Sequence, residues 1–111
     1  MNEKGCEFTL IERKSDEILI DIVFDKTYKY FDGHFEDFQL LPALLQVHTV
    51  VELTKKYFDE SKSLKSIPNM KFTKPIYPNS KVKLSISKQE NKYQFKYFKD
   101  EFIYSQGSFR V

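Results

Sequence analysis

The chain has few of the residues that cross-link or interrupt a polypeptide: its 111 residues include one cysteine, three glycines, four prolines and no tryptophan. The single cysteine, Cys6, excludes an intramolecular disulfide and a metal site built from several thiolates. No histidine lies close to it in sequence, so we interpret Cys6 as a bystander rather than a nucleophile. A reducing cytoplasm is the compartment that fits this cysteine usage.

Long apolar runs are also missing. No run is long enough to span a membrane, and the first residues lead into a charged strand pattern rather than the apolar stretch of a secretory signal. The formal net charge of +2 is too small to indicate a nucleic-acid binder. The length fits one domain, residues 1–111. We therefore expect a single cytoplasmic domain with neither a membrane span nor a nucleic-acid partner.

Aromatic residues and lysines are what the chain has in excess. Eleven phenylalanines and seven tyrosines are many for so small a domain. They fill either an ordinary β-rich core or a subunit interface or acyl pocket. Lysines gather between residues 62 and 99, where they form either a solvated sheet face or a weak docking surface for an acidic partner.

The hydrophobic pattern changes period along the chain. Alternation predicts strands, the first two forming a hairpin, at residues 7–13, 17–24, 67–77, 81–88, 92–98 and 102–111. The 67–77 segment carries two prolines and is predicted to be partly an edge strand, and Gly107 is a candidate bulge. Helical spacing at 41–58, opened by Pro42, predicts one buried helix. Residues 25–39 are predicted to form a structured aromatic loop. One largely apolar helix requires a sheet to cover it, so we predict an α+β domain in which a curved antiparallel sheet wraps the helix.

Both histidines lie within residues 33–48, one in the aromatic loop and one in the helix. Histidine is the side chain whose unperturbed pKa is closest to neutral, which makes His34 and His48 the candidates for proton transfer. Leu44, Leu45 and Val51 lie one turn from His48, which predicts a buried apolar surrounding for it.

The pattern Gly33-His34-Phe35-x-x-Phe38-x-x-Leu41-Pro42-x-Leu44 resembles the HFPGxPxxPG signature of the beta-hydroxyacyl-acyl-carrier-protein dehydratases. It is especially similar to the short branch of that family associated with aryl polyene lipid synthesis. The stretch at 70–78 is similar to the family's strand after the helix. The resemblance implies the hot-dog fold, a beta-hydroxyacyl thioester carried on acyl carrier protein as substrate, a homodimer or higher homo-oligomer, and no cofactor.

The resemblance also assigns roles to residues. It implies His34 as the base that removes the α-proton, and it places the backbone N–H of Ala43 near the thioester carbonyl. It implies an acyl-binding surface at the start of the helix and in the loop before it, formed by Phe35, Phe38, Pro42, Ala43 and Leu44.

The chain departs from the family pattern at three places. Glu36-Asp37 stands where the family has Pro-Gly, Ala43 replaces a glycine, and His48 replaces the family's acidic residue. His48 could orient the substrate hydroxyl as a second catalytic residue, or it could be a core histidine bonded to a backbone carbonyl or a partner subunit. A metal site that joins both histidines to Asp32, Glu36 or Asp37 matches no strong metal motif, so no metal is expected.

Three functions are compatible with these features. The first is dehydration of beta-hydroxyacyl thioesters to the enoyl form. The second is a non-catalytic acyl-binding or partner-subunit hot-dog protein, suggested by the replaced acidic residue. The third is an acyl-thioesterase, an activity that commonly uses an Asp or Glu on the same fold.

Overall fold

The computed structural model describes residues 6–24, 43–58, 66–77 and 79–110, with the backbone alone described for 43, 44 and 66–68. The elements follow the predicted order: β1 Cys6–Arg13, β2 Glu17–Phe24, α1 Ala43–Tyr57, β3 Ser66–Phe72, β4 Ser80–Gln89, β5 Lys92–Lys99 and β6 Phe102–Arg110. The predicted loop at 25–39 lies outside the described residues. No helix among the described segments is long and apolar enough to cross a membrane.

The strands form one antiparallel sheet with the order β1-β2-β4-β5-β6-β3. The predicted β1–β2 hairpin is confirmed by antiparallel pairing from Cys6↔Phe24 to Arg13↔Ile18, with a register shift at Ile11. The edge position predicted for the strand after the helix is also confirmed, since β3 pairs with β6 and ends the order. That strand ends at Phe72, five residues earlier than predicted.

The core lies between α1 and the inner face of the sheet. Alternate residues of β2, β4 and β5 are buried there, as the two-residue period of a strand requires. The helix adds Val47, Val50 and Leu53 to the same cluster. Cys6 is buried at the start of β1 and belongs to the same cluster.

The last turn of α1 is fixed against β1 and β5 by aromatic rings and one arginine. The rings of Tyr57 and Phe8 meet edge to face at 6.4 Å, and Phe58 lies 5.4 Å from Tyr93. Arg13 donates a 2.6 Å hydrogen bond to the carbonyl of Tyr57, one of the helix-end carbonyls that lack an intrahelical donor.

The predicted bulge at Gly107 is wrong. Gly107 pairs regularly with Phe95 on one side and Met70 on the other. The register shift in β6 lies between the pairs Tyr97↔Ser105 and Phe98↔Ile103, so Tyr104 is the extra residue. Gly107 has a different role: a Cβ atom there would lie 2.5 Å from the carbonyl oxygen of Asn69 and 2.5 Å from Met70 Sδ. It permits the close approach of β3 to β6.

Candidate active site

Most of the predicted site residues precede the helix. His34, Phe35, Phe38 and Pro42 lie outside the described residues, as do Asp32, Glu36 and Asp37. Ala43 and Leu44 are the first two residues of α1, and only their backbone is described. The structure therefore leaves the roles assigned to all these residues as predictions, and His48 is the one predicted site residue whose side chain it describes.

His48 is exposed, which contradicts the buried surrounding predicted for it. The reason is geometric. An α-helix turns about 100° per residue, and the sheet covers the arc that contains Gln46, Val50 and Leu53. His48 lies opposite the middle of that arc. Leu45 and Val51 are half-buried at the two margins of the open face, where they pack against the core cluster instead of enclosing His48.

The open face of α1, formed by Leu45, His48, Val51, Glu52 and Lys55, combines apolar and ionisable side chains. Leu45, Val51 and Glu52 are half-buried, while His48 and Lys55 are exposed. Glu52 follows His48 by four residues, so the two side chains lie on neighbouring turns of the same face. Glu52 was not singled out by sequence reasoning, although its four-residue spacing from His48 was the available signal.

The first turn of α1 presents backbone donors. The N–H groups of a first turn have no intrahelical acceptor, and no acidic side chain occurs in this one. The backbone at Ala43 is thus of the kind that can bind a developing oxyanion, as the resemblance implies. Its position, five residues before His48, puts it at the same end of the helix.

Beneath that first turn lies a buried polar cluster that sequence reasoning also missed. Gln46 is 3% exposed, although glutamine is mostly a surface residue. Its side-chain carbonyl accepts a 2.7 Å hydrogen bond from Ser105 Oγ, and its backbone carbonyl accepts a 2.8 Å hydrogen bond from the Tyr97 hydroxyl. These contacts join the start of the helix to β5 and β6.

Two cavities lie among the described residues on the outer face of the sheet and its margin. The larger has a volume of about 470 Å³ and a polar lining that includes Lys71, Lys92 and Lys96. The smaller, of about 240 Å³, includes Leu19 and Phe98. Neither contains His48. No group of three or more potential metal ligands comes together in the part of the chain that the structure describes.

Comparison with known proteins identifies the family. The model of the ApeI-like family, the ApeI dehydratases, matches residues 10–108. This chain belongs to the ApeI-like dehydratase family. A chain of the dehydratase heterocomplex ApeI:P from Xenorhabdus doucetiae superposes with a TM-score of 0.85 at 28% identity, covering 92% of each chain. The hot-dog fold predicted from the resemblance is thereby confirmed.

A second solved structure shares the fold. It is an uncharacterized protein from Erwinia carotovora subsp. atroseptica, with a TM-score of 0.77 and 20% identity, covering 94% of this chain and 90% of that one. A search of curated protein sequences gives no match. Membership in the ApeI-like family supports a dehydratase role and so confirms the coarser part of the predicted function.

Proposed function

We propose that this ApeI-like chain removes water from a beta-hydroxyacyl thioester carried on acyl carrier protein, a step of fatty-acid or polyene-type lipid synthesis. His34 takes the proton from the α-carbon and the electrons of that C–H bond form the new double bond. The bond from the β-carbon to its hydroxyl breaks, and the hydroxyl leaves as water with a proton from the imidazolium of His48. The N–H of Ala43 stabilises the negative charge that develops on the thioester oxygen.

The exposure of His48 is the observation that carries this proposal. A residue that transfers a proton to substrate must come within hydrogen-bond distance of it, about 3 Å. A core histidine surrounded by the sheet could not do so, whereas His48 lies on the helix face that the sheet leaves open. In a family of dehydratases, that position supports a role at the substrate hydroxyl.

The charge distribution of the sheet favours binding of an acidic partner protein. Strands β4, β5, β6 and β3 adjoin in the sheet and contain no aspartate or glutamate. The outer face of these strands has six basic residues, Lys71, Lys81, Lys83, Lys92, Lys96 and Arg110, whereas Lys88 and Lys99 are in phase with the buried Tyr93 and Tyr97. Such a surface attracts an acidic protein over distances up to the screening length, about 8 Å at physiological salt. Acyl carrier protein is the partner that we propose for it.

The edge of the sheet at β3 favours the binding of a second subunit. Strand β3 ends the strand order and is paired on one side only among the described strands. Phe72, its last residue, is 43% exposed. An unpaired edge with an exposed aromatic residue favours strand addition by another chain. We propose a homodimer at this edge, and the heterocomplex form of the ApeI:P relative makes a different subunit the alternative occupant.

A non-catalytic role is the second candidate, and the presence of His48 in place of an acidic residue favours it. In that case the chain would bind an acyl group, or complete the site of a partner, without turning substrate over. This version predicts saturable binding of an acyl-pantetheine with no change in its double-bond content.

The test is an assay with a purified beta-hydroxyacyl-pantetheine thioester, following the enoyl product by absorbance and mass. We expect turnover by the wild-type chain and loss of turnover in His34→Ala. The control Lys29→Ala, which changes a residue that precedes the histidine motif in sequence, should keep turnover. Activity that survives in His34→Ala would reject the assigned base. Release of free thiol instead of enoyl product would indicate the thioesterase.

A further inference from the structure

Two hydrogen bonds at Gln46 attach the first turn of α1 to the sheet, in addition to the packing of Leu45 against the core cluster. Gln46 is the last residue of that turn and lies two residues before His48. Its two partners, Tyr97 and Ser105, are both 0% exposed. The Tyr97 bond of 2.8 Å is made to a backbone carbonyl, so it fixes the position of the helix backbone itself.

A buried amide is costly unless its polar atoms are paired. An aliphatic residue would fill a helix position against the sheet without that cost, as Val50 and Leu53 do further along α1. Hydrogen bonds are directional, so a fully paired polar cluster fixes the helix in one position. Apolar contacts, in contrast, would tolerate sliding of the helix along the sheet. The 2.7 Å hydrogen bond from Ser105 to the Gln46 side chain provides such a directional contact between the helix and β6.

One of the three register shifts among the described strands lies at the same place. The register shift in the β5–β6 ladder follows the pair Tyr97↔Ser105 and adds Tyr104 to β6. A β-bulge turns side chains away from the regular alternation and is frequently found beside functional sites. Here Tyr104 packs against the core cluster and Ser105 bonds to Gln46, so two consecutive residues of β6 contact the helix side of the sheet.

We propose that Gln46, Tyr97 and Ser105 are positioning residues for the dehydration. They hold the first turn of α1 so that the Ala43 N–H and His48 keep a fixed place relative to the substrate. None of the three is proposed to touch substrate. This inference rests on the proposed function, because it assigns a purpose to the geometry of that site.

A displacement of about 1 Å in a catalytic group can lower the rate by a factor of about 100. The variants Ser105→Ala and Tyr97→Phe each remove one hydroxyl and leave the surrounding volume nearly unchanged. We expect each to lower kcat about tenfold or more while KM changes by less than about twofold, since acyl binding is retained. Ser105→Thr keeps a hydroxyl and is expected to restore kcat.

Thr54→Val is the matched control. Thr54 is buried in the same helix, and its hydroxyl donates a 2.8 Å hydrogen bond to the carbonyl of Val50, away from the first turn. This variant also loses one buried hydroxyl, so it reports the effect of lost stability alone. We expect it to keep the wild-type kcat.

Amide hydrogen exchange supplies a readout that needs no activity. Ser105→Ala and Tyr97→Phe should speed exchange in the first two turns of α1, while Thr54→Val should not. If the wild-type chain shows no turnover, the proposed function fails, yet the exchange result still tests the attachment. If kcat and first-turn exchange in Ser105→Ala and Tyr97→Phe equal those of Thr54→Val, the positioning role is overturned.

Discussion

Gly107 of β6 and Asn69 of β3 approach so closely that a Cβ atom on the glycine would lie 2.5 Å from the asparagine carbonyl oxygen. Real Cβ atoms do not come this near to backbone oxygen, so one strand has to move if a side chain is added. The contact occurs within the ladder that attaches the edge strand to the rest of the sheet.

Gly107→Ala should therefore destabilise the domain by about 1–3 kcal/mol, the usual cost of overpacking a closely packed site. Chemical denaturation followed by circular dichroism measures it. Gln106→Ala is the control, because Gln106 is exposed on the same strand. Equal stability of the two variants would show that β3 can shift without cost.

His48→Gln should lower dehydration strongly and leave the free energy of unfolding within about 0.5 kcal/mol of wild type, as expected for an exposed residue. Glutamine retains hydrogen bonding but cannot donate a proton from a cationic ring. Lys55→Gln, on the same helix face, is the control and should keep activity. Full activity in His48→Gln would show that groups other than His48 carry out the proton transfers.

Reversing the charge of Lys71 and Lys96 tests the acidic partner. Both lysines line the larger cavity on the outer face of the sheet. The double variant Lys71→Glu/Lys96→Glu should raise KM for carrier-borne substrate by about tenfold or more, and less at high salt. Turnover of the acyl-pantetheine should not change.

Lys55→Glu/Lys56→Glu makes the same change of net charge on the helix and serves as the control. If both double variants raise KM equally, the effect comes from net charge and not from the outer face of the sheet.

The oligomeric state can be tested with two exposed phenylalanines. Phe72, at the end of the edge strand, is 43% exposed, and Phe102, at the start of β6, is 57% exposed. Phe72→Glu should dissociate a dimer formed along β3, because it places a charge in the apolar part of the interface. Phe102→Glu should leave the mass unchanged. Light scattering at micromolar concentration distinguishes them, and a monomeric wild type would reject the shared edge.

Much of the fold was predictable because alternation and helical spacing are local signals. The strands predicted at residues 81–88 and 92–98 were located to within two residues of β4 and β5. The burial of His48 was predicted wrongly because sequence neighbours show which side chains share a face, and not which face the sheet covers. The bulge at Tyr104 has no local signal, since no glycine marks it.

Two sequence signals point to the candidate site: both histidines lie within residues 33–48, and the surrounding motif resembles that of the dehydratase family. The histidine motif identified the segment that contains the candidate site. The Gln46 cluster, in contrast, joins residues that are separated by 51 and 59 positions in the sequence. Such pairings follow from the sheet register, which a single sequence does not encode in any short pattern.

The charges along the strand order give the molecule an electric polarity. At one edge, β1 and β2 carry Glu7, Glu12, Glu17 and Asp21 against a single Arg13, while the four strands beyond them carry bases only. The domain is thus a dipole that lies across its own sheet. In the field of an acidic partner it would rotate before contact, so that the β3 side arrives first. Encounters would be oriented as well as accelerated, and added salt would weaken both effects.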